Sequence, residues 1–329
     1  MKISPQKIGK IADKAVDLFF DDTRLQVELL AHMENYTYVV KCVQTRQKSI
    51  LRICRLNYHT KSQIESEIAW VKAINEQTPV IVPSPIKGKN GEYVQNVTMK
   101  NNPYNYHCVM FSFLEGNVLD NNDENTFIQQ FESIGVLTAH LHNHSKNWQY
   151  SSMLDRSPWN YETILGERPK WGRWQDGVGI TPERKKLFQE VSELIQYRLN
   201  KFGKGRDRFG LIHGDLRLTN LLAQGNSIKV IDFDDCGFSW FLFDIGASLS
   251  FIEHKPYVAE LIKAWLKGYR KVGIISKEEE NEISTFIMMR RLMLISWIGS
   301  RDNQTTRRLG YKYTKDTDQL AQKYLENFS

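Results

Sequence analysis

Residues 211–235 read LIHGDLRLTNLLAQGNSIKVIDFDD, and the order of polar groups in this stretch decides how the whole chain is read. His213-Gly214-Asp215 follows a short apolar strand at 210–212. Asn220 stands five residues after Asp215, and Asp232 twelve residues after Asn220. From its loop, Asp215 can accept the proton of an attacking hydroxyl. Asn220 and Asp232 supply oxygen donors suited to a hard cation such as Mg2+, which ATP chemistry requires. Lys229-Val230-Ile231 alternates like a strand and would deliver Asp232 to the same point in space as the loop before it. The bland alternative is an ordinary β-hairpin turning at Gly225-Asn226. That alternative explains Asn226 but not three groups of this chemistry in register.

A lone H-x-D carries little information. H-x-D-x-x-x-x-N followed by I-D-F is the order and spacing of a kinase catalytic loop and its metal-binding Asp. Downstream, Asp244 stands twelve residues after Asp232 and could brace the catalytic loop from behind by accepting its backbone N–H groups.

The bulk properties agree. The chain has 329 residues, room for two lobes. With 41% hydrophobic and 25% charged residues it reads as a soluble globular protein. A net charge of +6 permits anionic ligands such as nucleotides but gives no concentrated basic face, so no nucleic-acid partner is expected. Cys42, Cys54, Cys108 and Cys236 form no C-x-x-C pair and read as reduced thiols of a cytoplasmic protein. The N-terminus MKISPQKIGK has no apolar leader segment. The most apolar stretch, 240–252, is interrupted by Asp244 and far shorter than the ~20 residues of a membrane span, so no membrane role is expected.

Upstream, Ser4-Pro5 opens a helix with Ile8, Ile11, Ala12, Ala15 and Phe19 on one face. Strand-like runs follow at 26–31, 36–43 and 49–54. The turn between the first two, His32-Met33-Glu34-Asn35, would close over nucleotide phosphates, Asn35 included, although it lacks the glycines of a Gly-rich loop. In the third run Ile50, Arg52 and Cys54 share a face. Thr60-x-x-Gln63 is a capping box, opening a helix that carries Glu67 one step off its apolar stripe. Arg52 with Glu67 is a phosphate-holding pair, a surface salt bridge, or no contact at all. Asn90-Gly91 marks a hairpin between 85–88 and 92–99. The strand at 106–113 leads to a crossing between lobes near residue 116. Met110 to Leu114 are there the candidates to offer backbone groups to adenine, Met110, Ser112 and Leu114 foremost, while Phe111 and Phe113 fit plain core equally well.

The rest is mostly helical. A stripe from Phe127 to Leu141 ends at His140, His142 and His144, but no Glu flanks the first, which argues against zinc. Residues 145–180 hold Trp148, Trp159, Trp171 and Trp174 without a clear period. They read as a long functional loop or as an excursion pinned by its tryptophans. Further helices are expected at 182–202, 256–272 and 277–299. The basic residues at 301–315 read as a solvated helix face.

HGDLRLTN and VIDFDDCGFSWFLFDIG resemble the signature of the aminoglycoside phosphotransferase / choline kinase superfamily, small-molecule relatives of protein kinases. LRICR, SEIAW and FSFLEG are similar to its N-terminal lobe. RRLMLISWIGSR resembles the bacterial branch with homoserine kinase-like enzymes and the stress-response kinase. The resemblance implies an α+β, protein-kinase-like fold of two lobes around a cleft. Residues 1–115 would be a β-rich nucleotide-binding lobe and 116–329 a mainly helical catalytic and acceptor-binding lobe. It implies Asp215 as the catalytic base, Asn220 and Asp232 as holders of Mg2+ on ATP, and Arg217 as a γ-phosphate contact. Arg52 takes the place of the family's strand lysine, with Glu67 its partner. Guanidinium is always charged and forks onto phosphates, but is longer than lysine.

The expected activity is ATP- and Mg2+-dependent transfer of phosphate to the hydroxyl of a small-molecule acceptor. From Cys236 onward 14 Lys+Arg face 11 Asp+Glu, so an acidic pocket for a polycation is not evident and a neutral or zwitterionic alcohol fits better. A Ser/Thr protein kinase with a protein acceptor, or a non-catalytic nucleotide-binding module, are the alternatives.

Overall fold

The computed structural model describes residues 4–21, 24–32, 34–100, 103–119, 123–225, 227–302 and 304–328. It divides into two compact units, Met1–Glu115 and Gly116–Ser329.

In the first unit α1 (Pro5–Asp17) is capped by the Ser4 hydroxyl and begins at Pro5. β1 (Leu25–His32), β2 (Tyr36–Cys42) and β3 (Lys48–Ile53) form an antiparallel meander. α2 (Lys61–Gln77) follows, with both halves of the Thr60/Gln63 capping box made. β4 (Pro85–Ile86), β5 (Gln95–Thr98) and β6 (Asn105–Ser112) complete a six-stranded sheet. Alternation along β3 sends Leu51 and Ile53 to the α1 side, where Ile8, Ile11, Ala12 and Ala15 pack. Ile50 and Cys54 face the other way and meet Ile64 and Ile68 of α2. The expected hairpin at Asn90-Gly91 is corrected here. The turn closes, with the Gly88 amide donating to the Glu92 carbonyl, but β4 and β5 each pair with β6 and not with one another.

The second unit opens with β7 (Asn117–Val118) and the long helix α3 (Glu124–Asn147). A connection containing α4 (Tyr161–Ile164) leads to α5 (Pro182–Phe202). Two small antiparallel ladders follow. β8 (Phe209–Ile212) pairs with β11 (Gly237–Trp240), while β9 (Leu221–Gln224) pairs with β10 (Ser227–Val230) and β7. The proposed turn at Gly225-Asn226 includes Asn226, which lies outside the described residues, as does Met33 of the 32–35 turn. α6 (Phe243–Ser248), α7 (Val258–Tyr269), α8 (Lys277–Ser300) and α9 (Gln304–Phe328) complete the unit. α8 is buried on every side from Thr285 to Ile298, the pattern of a core helix, with Arg290 and Arg291 inside the run. No helix among the described residues is long and apolar enough to cross a membrane.

Residues 145–180 are not a featureless loop. Trp159, Trp171 and Trp174 are buried, and the segment is stitched to the 234–239 stretch. Trp159 N donates to the Phe238 carbonyl, and the Ser239 hydroxyl to the Trp159 carbonyl.

Candidate active site

The β3 alternation that buries Ile50 and Cys54 under α2 also turns Arg52 toward that helix, and Glu67 is waiting on it. Arg52 Nη1 and Nη2 donate to Glu67 Oε1 and Oε2 at 2.8 and 2.6 Å. This fork-on-fork pair is buried, so it is not a surface salt bridge. Asn35 holds the backbone, its side-chain oxygen accepting from the Arg55 amide at 2.9 Å. The three hinge candidates separate. Met110 lies between Leu51 of β3 and Ile86 of β4 with its side chain in the core, so ladders take both edges of its backbone. The Ser112 amide donates to the Ser84 carbonyl, and its hydroxyl accepts from the Ser84 amide. Leu114, past the strand end, has no backbone hydrogen bond among the described residues.

In the second unit the catalytic-loop residues converge. His213 is fully buried, with the Asp215 amide donating to its Nδ1 at 3.2 Å and its Nε2–H to the Ile231 carbonyl at 3.1 Å. One imidazole therefore ties the Asp215 loop to the residue before Asp232. The Ile231 amide donates in turn to the Asn220 carbonyl at 3.0 Å. Asp232 is exposed and takes a left-handed backbone, φ 65° and ψ 69°, which an Asp tolerates better than most side chains. Gly214 is required where it stands. Its φ is +80°, and a Cβ there would meet the Asp235 carbonyl at 2.6 Å.

The Asp215 carboxylate is gripped on both oxygens. Arg217 Nε and Asn220 Nδ2 each donate to Oδ2 at 3.0 Å. On Oδ1 sits Arg290 Nη2 from α8, a residue the sequence reading did not select. Arg290 is 1% exposed and stacked against Trp171 and Phe243. It also donates to the Ser250 hydroxyl and the Gly214 carbonyl. Burial alone would push the Asp215 pKa up. The charges of Arg217 and Arg290 more than offset this and hold it below the usual carboxylate value. A signal for Arg290 was present, because a cation inside the apolar run IMMRRLMLISWI needs a buried acceptor.

Asp244 braces the loop as its position suggested. Its carboxylate, fully buried, accepts from the His213 and Gly214 amides at 3.2 and 2.9 Å. It also meets His142 Nε2 at 3.2 Å, and His142 Nδ1 meets the Tyr269 hydroxyl at 3.1 Å. Burial keeps His142 neutral, so Tyr269 O–H donates to Nδ1 and Nε2–H to Asp244. Of the three histidines on α3, His142 is thus a structural brace, and His144 stacks on Trp148.

The donors fit a divalent cation of the Mg2+ type. Asn220 commits its NH2 group to Asp215, which turns its amide oxygen outward as an acceptor, and Asp232 presents an exposed carboxylate nearby in sequence and fold. No three His, Cys, Asp or Glu side chains among the described residues converge on one point. A pair of oxygen donors suits an ion that keeps water and phosphate ligands.

Comparison with known proteins agrees with this geometry. Residues 26–276 match the model of the phosphotransferase enzyme family. The chain is 34% identical to a microcompartment-associated aminopropanol kinase of known structure, with TM-score 0.88 over 97% of this chain and 98% of that one. It is 25% identical over 279 residues to amicoumacin kinase of Bacillus subtilis (strain 168), 82% of this chain and 78% of that protein. An amicoumacin kinase solved in complex with AMP-PNP, Ca2+ and Ami shares the fold, with TM-score 0.76 and 21% identity over 96% and 94% of the two chains. The chain belongs to the phosphotransferase enzyme family and is a phosphotransferase acting on a hydroxyl group.

Proposed function

We propose that the protein transfers the γ-phosphate of ATP, with Mg2+, to the alcohol of a small amino alcohol or a carboxylated analogue of one. The observation that carries this reading is the convergence of Asp215, Arg217, Asn220 and Ile231-Asp232 on one loop cluster. Asp215 accepts the acceptor's hydroxyl proton. Because Arg290 is buried and fixed by three acceptors, Oδ1 stays committed and Oδ2 is the oxygen that takes the proton. Arg217, its side chain still partly exposed, is the group that can leave Oδ2 for a phosphate. Asn220 and Asp232 hold the cation, which when bound neutralises phosphate charge. In this reading Arg52, fixed by Glu67, would serve the α- and β-phosphates and the backbone at Leu114 would serve adenine. The small size of the acceptor rests on the 34% identical relative named for aminopropanol.

The test is ADP release with Mg2+ and ATP over a panel of amino alcohols, hydroxy amino acids, choline, sugars, aminoglycosides and casein. A small-molecule acceptor that raises turnover in wild type and not in Asp215→Ala supports the reading. Turnover only with casein replaces it by a protein kinase. Nucleotide binding with no turnover on any acceptor replaces it by a binding module.

A further inference from the structure

Among the described residues, one cation beside the catalytic loop makes no ion pair. Lys170 lies in the 145–180 segment, its backbone amide fixed to the Thr163 carbonyl at 2.9 Å. Its ammonium sits 4.2 Å from the centroid of the Trp159 ring, and the residue as a whole is half-buried. Among the described residues it makes no ion pair and no side-chain hydrogen bond. The other charges around it are Asp235, which attracts it at longer range, and Arg156, which repels it. Arg156 offers no compensation, since it is spent on the Cys236 and Asp234 carbonyls. Loss of water around Lys170 pushes its pKa down to about 8. Burying an ammonium without a counter-charge is unfavourable, and a ring face offsets only part of that.

The position is as informative as the missing partner. Trp159, under the ammonium, donates from Nε1 to the Asp235 carbonyl at 2.7 Å, and this nitrogen would lie 3.3 Å from a Cβ at Gly214, the residue before Asp215. Trp171, next in sequence to Lys170, packs edge-on against Trp159 and stacks on the Arg290 that holds Asp215. One indole therefore separates Lys170 from the catalytic loop. The Lys170 ammonium lies on the face of Trp159 and the catalytic loop at its Nε1 edge, so both are neighbours of one side chain.

We propose that Lys170 is an acceptor-binding residue, and that it pairs with a carboxylate on the carbon chain that bears the acceptor's hydroxyl. This inference rests on the phosphotransferase reading above and narrows its acceptor to hydroxy acids and hydroxy amino acids. Wild-type substrate choice follows from the same contact. An acceptor without the carboxylate leaves Lys170 unpaired, whereas the carboxylated acceptor neutralises it. The anion could instead belong to the nucleotide, and the test separates the two.

The experiment uses acceptor pairs that differ only in the carboxylate: threonine with 1-amino-2-propanol, homoserine with 3-aminopropanol, and serine with ethanolamine. KM and kcat are measured for each acceptor and for ATP in wild type, Lys170→Gln and Lys170→Arg, with thermal melting as a folding control. The expected result is that wild type prefers a carboxylated member. Lys170→Gln should lose on the order of 10–100-fold in kcat/KM for it, through acceptor KM, while the amine partner and the ATP KM are unaffected. Lys170→Arg should recover part of the loss. A wild type preferring the amine member, an unchanged preference in Lys170→Gln, or a raised ATP KM with every acceptor would overturn the inference. If no acceptor of any kind is turned over, the phosphotransferase reading fails instead, which is a different outcome from an amine preference.

Discussion

Replacing Arg290 by Met probes how the catalytic carboxylate is held. Methionine fills a similar volume between Trp171 and Phe243 but cannot donate to Asp215 Oδ1, the Ser250 hydroxyl or the Gly214 carbonyl. Breaking a buried ion pair costs about 3–5 kcal/mol. Asp215 keeps Arg217 and Asn220 on its other oxygen, so the low end of that range applies. At about 2–4 °C per kcal/mol for a chain of this order of size, melting should fall by roughly 6–12 °C. Activity should fall further than stability suggests, because the carboxylate is then held through one oxygen only and loses the contact that sets its orientation. Misplacing a reacting group by an ångström costs about 100-fold, and that loss should be in kcat. The ATP KM should hold, since Arg290 has no other link to the nucleotide side. The assay is coupled ADP release at saturating acceptor, run well below the variant's melting point, with Arg290→Lys alongside to restore the charge without the fork. A folded Arg290→Met enzyme with kcat within about twofold of wild type would refute the positioning role.

Three further outcomes follow from the same geometry. Asp244→Asn replaces an acceptor of three N–H groups by a group that must aim its own NH2 at one of them, so stability should fall by about 1.5–3 kcal/mol in urea unfolding, with kcat reduced and ATP affinity kept. Gly214→Ala forces a left-handed alanine, at about 1–2 kcal/mol, and drives a methyl into the Asp235 carbonyl; expression and melting should show a poorly folded second unit, and normal melting with normal kcat would contradict the turn geometry. Arg52→Lys keeps the charge but only one of the two bonds to Glu67, a loss of about 1.5 kcal/mol that should appear as a roughly tenfold higher ATP KM in initial-rate kinetics.

What could be read from the sequence was local, or carried by spacing. The period-two alternation of β3 put Arg52 on the face of α2, and the capping box fixed where that helix starts, so Arg52 meeting Glu67 was legible. The loop spacing carried Asp215, Asn220 and Asp232, and Asp244 was placed by its distance from them. Strand neighbours are a different matter. That β4 and β5 both pair with β6, sealing the Met110 backbone, depends on long-range register that no local pattern encodes. The 145–180 segment has no period because single tryptophans, not a helix face, pin it down. Arg290 lies 75 residues from Asp215, so only its place in an apolar run hinted that it had a buried partner.

The central claim is that Asp215 takes a proton from an acceptor hydroxyl while ATP is held by other groups. The most direct test is phosphorus NMR of the reaction with Mg2+, ATP and the best acceptor, in wild type and Asp215→Asn, with ATP affinity measured by calorimetry. Wild type should yield ADP and a phosphate monoester one to one. Asp215→Asn should bind ATP comparably yet form the ester at least about 100-fold more slowly. Ester formation by Asp215→Asn at the wild-type rate, or free phosphate in place of the ester, would contradict the account.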